Sequence, residues 1–446
     1  MAITLDSALG ASRDWEATLQ DPELKPGKMS KPNRHNGKKL ALLGAFLASL
    51  FVPWLLSAIG LFLSLWIIVP APTFFLFPLT VGATELSPWL ASGNAIALVL
   101  AILRLQPTGL STIPLLCSLL ALWLSLLPLI QLPATNAQIA TQMQTVLGKD
   151  YLAAVPASER EKLRFHPFVL ADAFFSIPIG EVRIDRGIVF ANPDGVELKL
   201  NVYRPPKIGR YPTLVTIYGG AWQAGSPDSD ETFSRYMADR GYTVVTIDYR
   251  HAPQYRFPAQ LEDVSAGLSY IQSHGEKLEV DSDRIAVIGR SSGAHLAMLT
   301  AYHPTTIPVR AVVNYYAPVN LTEGYYDLPF PDPLDVRAIL RAFLGGTPDE
   351  LPEVYRKASA ISYVKPNLPP TLLVYPGRDH IVKAKFGRQL YEQLQATGNL
   401  AIWLEIPGAE HAFDPVFNGV NNQLALYYTE RFLAWCLKSE KNYETA

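Results

Sequence analysis

The chain has 446 residues and a formal net charge of −2, enough length for two or more regions. It carries no basic stripe beyond an amino-terminal arm, so charge gives no argument for nucleic acid as a partner. Cys117 lies in an apolar stretch and Cys436 near the carboxyl end, which argues against a mutual disulfide. No Cys/His cluster suggests zinc, and no motif asks for another metal or a cofactor.

Charge divides the chain. None occurs between Lys39 and Glu85, between Glu85 and Arg104, or between Arg104 and Lys149. Residues 1–39 read as a flexible basic arm ending in Lys25, Lys28, Lys31, Arg34, Lys38 and Lys39. Residues 40–132 read as an α-helical transmembrane region of about three helices, Leu40 to Ile68, Trp89 to Leu105 and Ile113 to Leu132, measured against the roughly 20 residues that cross a bilayer. The first run is too long for the roughly 7 to 15 residues of a signal core, and Pro53 is placed to kink it. The second carries Ser92, Gly93 and Asn94. A buried helix pair of a soluble core is the alternative, ill suited to three such runs in succession.

By the positive-inside bias the arm and the Arg104 link belong on the cytoplasmic side. Three crossings then put the carboxyl-terminal domain on the periplasmic or lumenal side. A fourth crossing hidden between Leu40 and Thr80, folding at Pro70 to Pro72, would reverse this, but Phe74 to Leu79 is too short to cross alone.

Residues 133–180 form a connector in which Ile139, Met143 and Val146 recur at helical spacing, as an interfacial helix or a packing helix would have them. Residues 181–440 form a domain whose rhythm, from about Gly187, becomes strands alternating with helices. Expected strands are Gly187 to Ala191, Glu197 to Tyr203, Thr213 to Tyr218, Thr243 to Asp248, Arg284 to Ile288, Arg310 to Tyr315, Thr371 to Tyr375 and Ala401 to Ile406. Helical faces appear at Leu261, Val264, Leu268 and Ile271, and again at Val336, Ile339, Leu340 and Phe343, the latter opened by Asp332 and Pro333. Such alternation predicts an α/β class, a mostly parallel eight-stranded sheet covered by helices.

The chemistry centres on Gly289-Arg-Ser291-Ser-Gly293, between a strand and a helix. Glycines two before and two after Ser291 suit a strand-to-helix turn that lifts one hydroxyl into a pocket and aims the Ser292 N–H at a developing oxyanion. A serine needs a base, and the base a partner to hold its tautomer. His411 follows the last strand in a glycine-bearing loop, and Asp379 follows the strand before it; both can reach over the sheet's carboxyl edge. His295 sits one turn beyond Ser291, where packing or solvent contact suits it better. His35, His166, His251, His274 and His303 lack such a placement, while His380 and Asp414 are the rival base and acid. Gly220 and Ala221, after the Thr213 to Tyr218 strand, are the candidate partners of Ser292 in the oxyanion hole.

These motifs, with Tyr-Gly-Gly-Ala-Trp at 218–222, Asp-Tyr-Arg-His-Ala-Pro at 248–253 and Phe-Pro-Ala-Gln-Leu-Glu-Asp at 257–263, make the segment from about Gly187 to Leu437 resemble the hormone-sensitive-lipase-like carboxylesterases of the α/β-hydrolase superfamily. Tyr218 departs from that group, which commonly has a histidine there. The resemblance implies an α/β-hydrolase fold, an acyl-enzyme on Ser291, a cap insertion at about 320–365, and a small-molecule or lipid-like ester as substrate. Tyr325, Tyr326, Phe330, Phe343 and Tyr355 in the cap would line an acyl pocket or pack beneath it. An amidase, formamidase or peptidase on the same triad is a second expectation, and a non-catalytic membrane protein on this scaffold a third. A transport role for the apolar part finds no charged residue inside the spans to serve as a relay.

Overall fold

In the computed structural model, which describes residues 51–104, 109–303 and 308–439, eight strands make one sheet: β1 (Arg183–Ala191), β2 (Leu198–Arg204), β3 (Tyr211–Ile217), β4 (Thr243–Ile247), β5 (Val280–Arg290), β6 (Ala311–Tyr315), β7 (Thr371–Pro376) and β8 (Ala401–Ile406). Their order is β1-β2-β4-β3-β5-β6-β7-β8. The first two pairings, β1 with β2 and β2 with β4, are antiparallel, and the rest are parallel. The chain thus has the mostly parallel sheet of an α/β-hydrolase. The expectations for the arm and for residues 40–50 of the first span lie outside the described residues.

The central strands are continuous apolar runs because helices cover both faces. Ile285, Ala286, Val287 and Ile288 of β5 are fully buried, as are Leu214, Val215 and Ile217 of β3. Two strands start four residues earlier than their apolar runs suggest. β5 begins at Val280, its first turn hidden by Asp281, which pairs with Arg210 at 2.8 Å and with Arg284 at 2.6 Å. β1 begins at Arg183, an edge position where charged side chains face water and Arg183 pairs with Glu279 at 2.6 Å. Register brings Ile217 of β3 beside Gly289 of β5, and Arg290 beside Tyr315 of β6, so the carboxyl ends of three strands open on one place.

The insertion between β6 and β7 contains the helices Leu321–Tyr326, Val336–Leu344 and Pro352–Ala358. The second of these is capped by Asp335, whose carboxylate accepts from Ala338 N–H, while Asp332 accepts from Val336 N–H.

The amino-terminal described residues form three apolar helices: Phe51–Leu65, Ser87–Leu103 and Thr112–Leu147. The last runs unbroken for 36 residues through Pro128 and Pro133, so the third expected span and the Ile139, Met143, Val146 pattern are one helix. Ile139 and Met143 are buried in the main core, which is the packing role rather than the interfacial one. Among the described residues one helix is thus long and apolar enough to cross a bilayer. The segment Phe74–Glu85 meets Ser87–Leu103 at a bend of 78°. Glu85 is not in an open loop between spans: it is buried at this bend, accepting from Asn421 Nδ2 at 2.6 Å and from the N–H groups of Asn421 at 3.0 Å and Asn422 at 3.2 Å. Those donors open the helix Val420–Lys438, so the carboxylate meets a helix amino terminus and is satisfied there.

Candidate active site

Ser291 stands between β5 and the helix Ser292–Tyr302 with φ 51° and ψ −122°, a conformation costly for a residue with a side chain. The surroundings enforce it. A Cβ at Gly293 would overlap the carbonyl oxygens of Ile217 and Tyr218, so only glycine lets this helix start against the end of β3. The first-turn N–H groups of that helix, Ser292 among them, have no intrahelical acceptor.

His411 Nε2 lies 3.0 Å from Ser291 Oγ, and its Nδ1 lies 2.7 Å from Asp379 Oδ2. With Asp379 accepting from Nδ1–H, the Nε2 lone pair is left for the serine hydroxyl. Asp379 Oδ1 accepts from the N–H groups of Ile381 at 2.8 Å and Val382 at 2.7 Å, which fixes the carboxylate plane. Burial pushes this carboxyl above its ordinary value, and the adjoining His411 pulls it back. The three residues from three loops therefore form one hydrogen-bonded relay at the sheet's carboxyl edge.

The rivals are occupied elsewhere. Asp414 takes Arg290 Nε at 2.6 Å and the Tyr316 hydroxyl. Its carboxylate balances the buried guanidinium together with Asp230, 3.4 Å from the same nitrogen. His380 Nδ1 is held by Glu410 Oε2 at 2.5 Å. Glu410 also accepts from the N–H groups of His380 at 2.8 Å and His411 at 3.0 Å, so one buried carboxylate ties the Asp379 loop to the His411 loop. Sequence reasoning did not assign Glu410; its one signal was an acidic residue beside a candidate histidine.

The turn after β3 is unusual in its backbone. Gly220 has φ 140°, Ala221 55° and Trp222 59°. It is locked by Gln223 N–H donating to the Gly220 carbonyl at 2.9 Å and by Ala252 N–H donating to the Trp222 carbonyl at 2.8 Å. Trp222 fixes it further. The indole N–H donates to His295 Nδ1 at 3.2 Å, and its ring stacks on Phe343 of the cap with centroids 4.1 Å apart. His295 is fully buried, its Nε2–H donating to the Ala358 carbonyl at 2.5 Å. Burial pushes it down to about 4, so it stays neutral. Tyr218 turns away from the serine, stacking on Tyr249 and donating to Asp248 at 2.5 Å.

Over Ser291 and His411 lies a cavity of about 670 Å³ with a mostly apolar wall, of a size that suits a small organic ligand. Its cap side is aliphatic, built by Leu321, Val336, Ile339 and Leu340. The five cap aromatics do not line it. Phe343 and Tyr355 are buried beneath the cap, Tyr325 nearly so, and Tyr326 and Phe330 face outward. Phe74, Phe77, Val81 and Gly82 also line it, the first two from the stretch Phe74 to Leu79 that the sequence offered only as too short to cross a bilayer.

Residues 200–394 match the BD-FAE family model, a range that contains Gly220, Ala221, Ser291, Ser292 and Asp379 but not His411. Esterase LipC of Mycobacterium tuberculosis is 34% identical over 219 residues, 46% of this chain and 53% of LipC. Isoprenylcysteine alpha-carbonyl methylesterase ICME of Arabidopsis thaliana is 26% identical over 243 residues, 51% of this chain and 56% of that protein. The solved structure of a bacterial heroin esterase superposes with a TM-score of 0.51 at 26% identity, covering 58% of this chain and 85% of that one. The chain spans about half the length of the curated relatives it matches.

Proposed function

We propose that this chain, whose part from β1 onward belongs to the α/β-hydrolase superfamily, hydrolyses carboxylic esters on Ser291 while its amino-terminal helices hold it in a membrane. The observation that carries the chemistry is the unbroken relay Ser291–His411–Asp379, with its 3.0 and 2.7 Å contacts. Ser291 Oγ attacks the ester carbonyl and gives its proton to His411 Nε2, while Asp379 stabilises the imidazolium through Nδ1–H. The carbonyl oxygen, now an oxyanion, takes N–H donors from Ser292 and from the Gly220–Ala221 turn. His411 returns the proton to the departing alcohol. Water, deprotonated by the same histidine, then releases the acid from the acyl-enzyme. Glu410 and Asp379 act on the position of His411, and Trp222 and His295 on that of the oxyanion turn. The esterases among the relatives support this reading of the substrate bond.

Membrane attachment rests on burial that is inside out for water. Between the amino-terminal helices Ser57 meets Ser118 at 2.7 Å, and Asn94 Nδ2 donates to Ser64 at 2.9 Å and Ser125 at 3.3 Å. The outer faces present Leu116, Leu119, Trp123, Ile96 and Val99. Small and polar residues inside with large apolar ones outside is how helices pack in lipid, where the solvent is as apolar as leucine. The basic arm and Arg104 then favour a cytoplasmic amino terminus and a hydrolase domain on the periplasmic or lumenal side.

The test pairs a fluorophosphonate probe with a panel of esters and amides. Labelling confined to Ser291 and turnover of esters are the expected results. An unlabelled chain that hydrolyses none of the panel overturns the reading, and amide turnover without ester turnover redirects it to an amidase. For topology, alkaline phosphatase fused after Gly148, where the long helix ends, should be active; activity of a cytoplasmic reporter alone at that junction overturns the orientation.

A further inference from the structure

The amino-terminal share of the lining is the unexpected part of the cavity. In a domain that made its pocket alone, every lining residue would come from the domain itself. Here Phe74, Phe77, Val81 and Gly82 share the lining with Ile381, Val382, Phe386 and Val416 of the domain, and they lie on the short segment that bends by 78° into an apolar helix. The segment is fixed, because Glu85 at its end is held by three donors of Asn421 and Asn422. Phe75, next to Phe74, is 89% exposed, and in the cap Phe330, next to the lining residue Pro329, is 93% exposed. Two bare phenylalanines, each next in sequence to a lining residue of one cavity and near helices whose outer faces are apolar, suit a mouth seated in the bilayer interface.

We propose that the cavity takes an ester with one long hydrocarbon chain, drawn from the bilayer, and that the segment Phe74 to Gly82 is the wall along which that chain lies. This rests on the esterase reading above and names its substrate class. The site offers a long chain aliphatic and aromatic surface, and each buried methylene favours binding by roughly fourfold. The chain enters between Phe75 and Phe330, runs between the helix Phe77–Glu85 and the cap helix Val336–Leu344, and brings the carbonyl to Ser291.

Gly82 gives the test. It lines the cavity, and a Cβ there would meet nothing within 4 Å, so side chains of increasing size extend into the space the hydrocarbon needs. In Gly82→Ala, Gly82→Leu and Gly82→Phe, the ratio of kcat/KM for p-nitrophenyl laurate to that for p-nitrophenyl acetate should fall in step with size, by at least about tenfold for Gly82→Phe. Each variant is scored on the active-site fraction titrated by the phosphonate, and the alanine variant, which adds only a methyl to a helix, keeps the series readable. A ratio that does not move across the series overturns the inference. Because acetate turnover by the wild type reports the esterase reading separately, the two failures are distinguishable. The source is tested with Phe75→Ser/Phe330→Ser: the rate on laurate ester co-reconstituted in phosphatidylcholine vesicles, divided by the rate on the same ester fed to detergent-solubilised protein, should drop about tenfold. An unchanged quotient would mean that the ester arrives from water.

Discussion

The sheet and the amino-terminal helices solve burial in opposite ways. Around the sheet, the interior is Val, Ile, Leu and Tyr, and the few charges inside are paired, as Arg290 is with Asp230 and Asp414. Between the amino-terminal helices the interior is Ser57, Ser64, Asn94, Ser118 and Ser125 with alanines, while leucine, isoleucine and tryptophan face out. The same rule, that each group goes where its surroundings match it, gives both patterns once the solvent differs. The cavity draws its lining from both regions.

The largest effects should be confined to the sheet region and to chemistry. Ser291→Ala should cost on the order of 10⁵-fold in kcat with the fold unchanged, His411→Ala about as much, and the double variant little more, because members of one relay are non-additive. Additive losses, read by steady-state kinetics, would place His411 outside the relay. Asp379→Asn should cost on the order of 10⁴-fold through the wrong histidine tautomer. Asp414→Asn should act mainly on stability instead, since its carboxylate balances Arg290 rather than His411.

The inverted burial of the helices can be broken by a charge. In lipid, Leu119→Lys, on the outer face of Thr112–Leu147, should cost about 3 kcal/mol of insertion free energy. In water the same change would stay within about 0.5 kcal/mol. Extraction of the expressed protein from membranes by alkaline carbonate distinguishes the two: the wild type should stay in the pellet and the variant shift to the supernatant or be degraded. A variant that behaves like the wild type would mean that these helices are not in lipid.

What the sequence made legible follows the same divide. Ser291, Asp379 and His411 could be singled out because each lies just past a strand, where topology rather than local composition brings residues together. The starts of β1 and β5 were obscured because Arg183, Asp185 and Asp281 are charged for reasons of edge exposure and ion pairing, which interrupts the apolar rhythm. Glu410 and the Phe74–Gly82 wall left almost no mark, since their roles depend on contacts across long separations: Glu85 reaches Asn421. For the cap aromatics the sequence left lining and packing open. The packing alternative holds for Phe343, which stacks on Trp222, and for the buried Tyr355, while the cap's share of the cavity wall is aliphatic.

The smallest expected effect tests whether the two regions also differ in their response to acid. His295, buried and held down to about 4, is neutral in the native state, whereas unfolded it would titrate near 6.5. Between those values the unfolded chain binds a proton that the native one refuses, so this histidine's stabilisation is complete above about 6.5 and is lost as the pH falls towards 4. The loss amounts to about 2 to 3 kcal/mol. Asp230, raised to about 6 by burial, acts in the opposite sense, because there the native state holds the proton more tightly than the unfolded one. His295→Gln separates the two, since Asp230 is common to both proteins. Chemical unfolding followed from pH 7 to pH 4.5 should show the wild type losing stability relative to His295→Gln by that amount, with hydrogen exchange rising in the helix Ser292–Tyr302 and the Trp222 turn. The helices Ser87–Leu103 and Thr112–Leu147 hold only serine, asparagine and threonine as buried polar groups, none of which titrates in this range, so their exchange should not follow the pH. Parallel curves for the two proteins would mean that His295 does not carry the acid sensitivity, and exchange rising equally in the amino-terminal helices would mean that the two regions unfold as one.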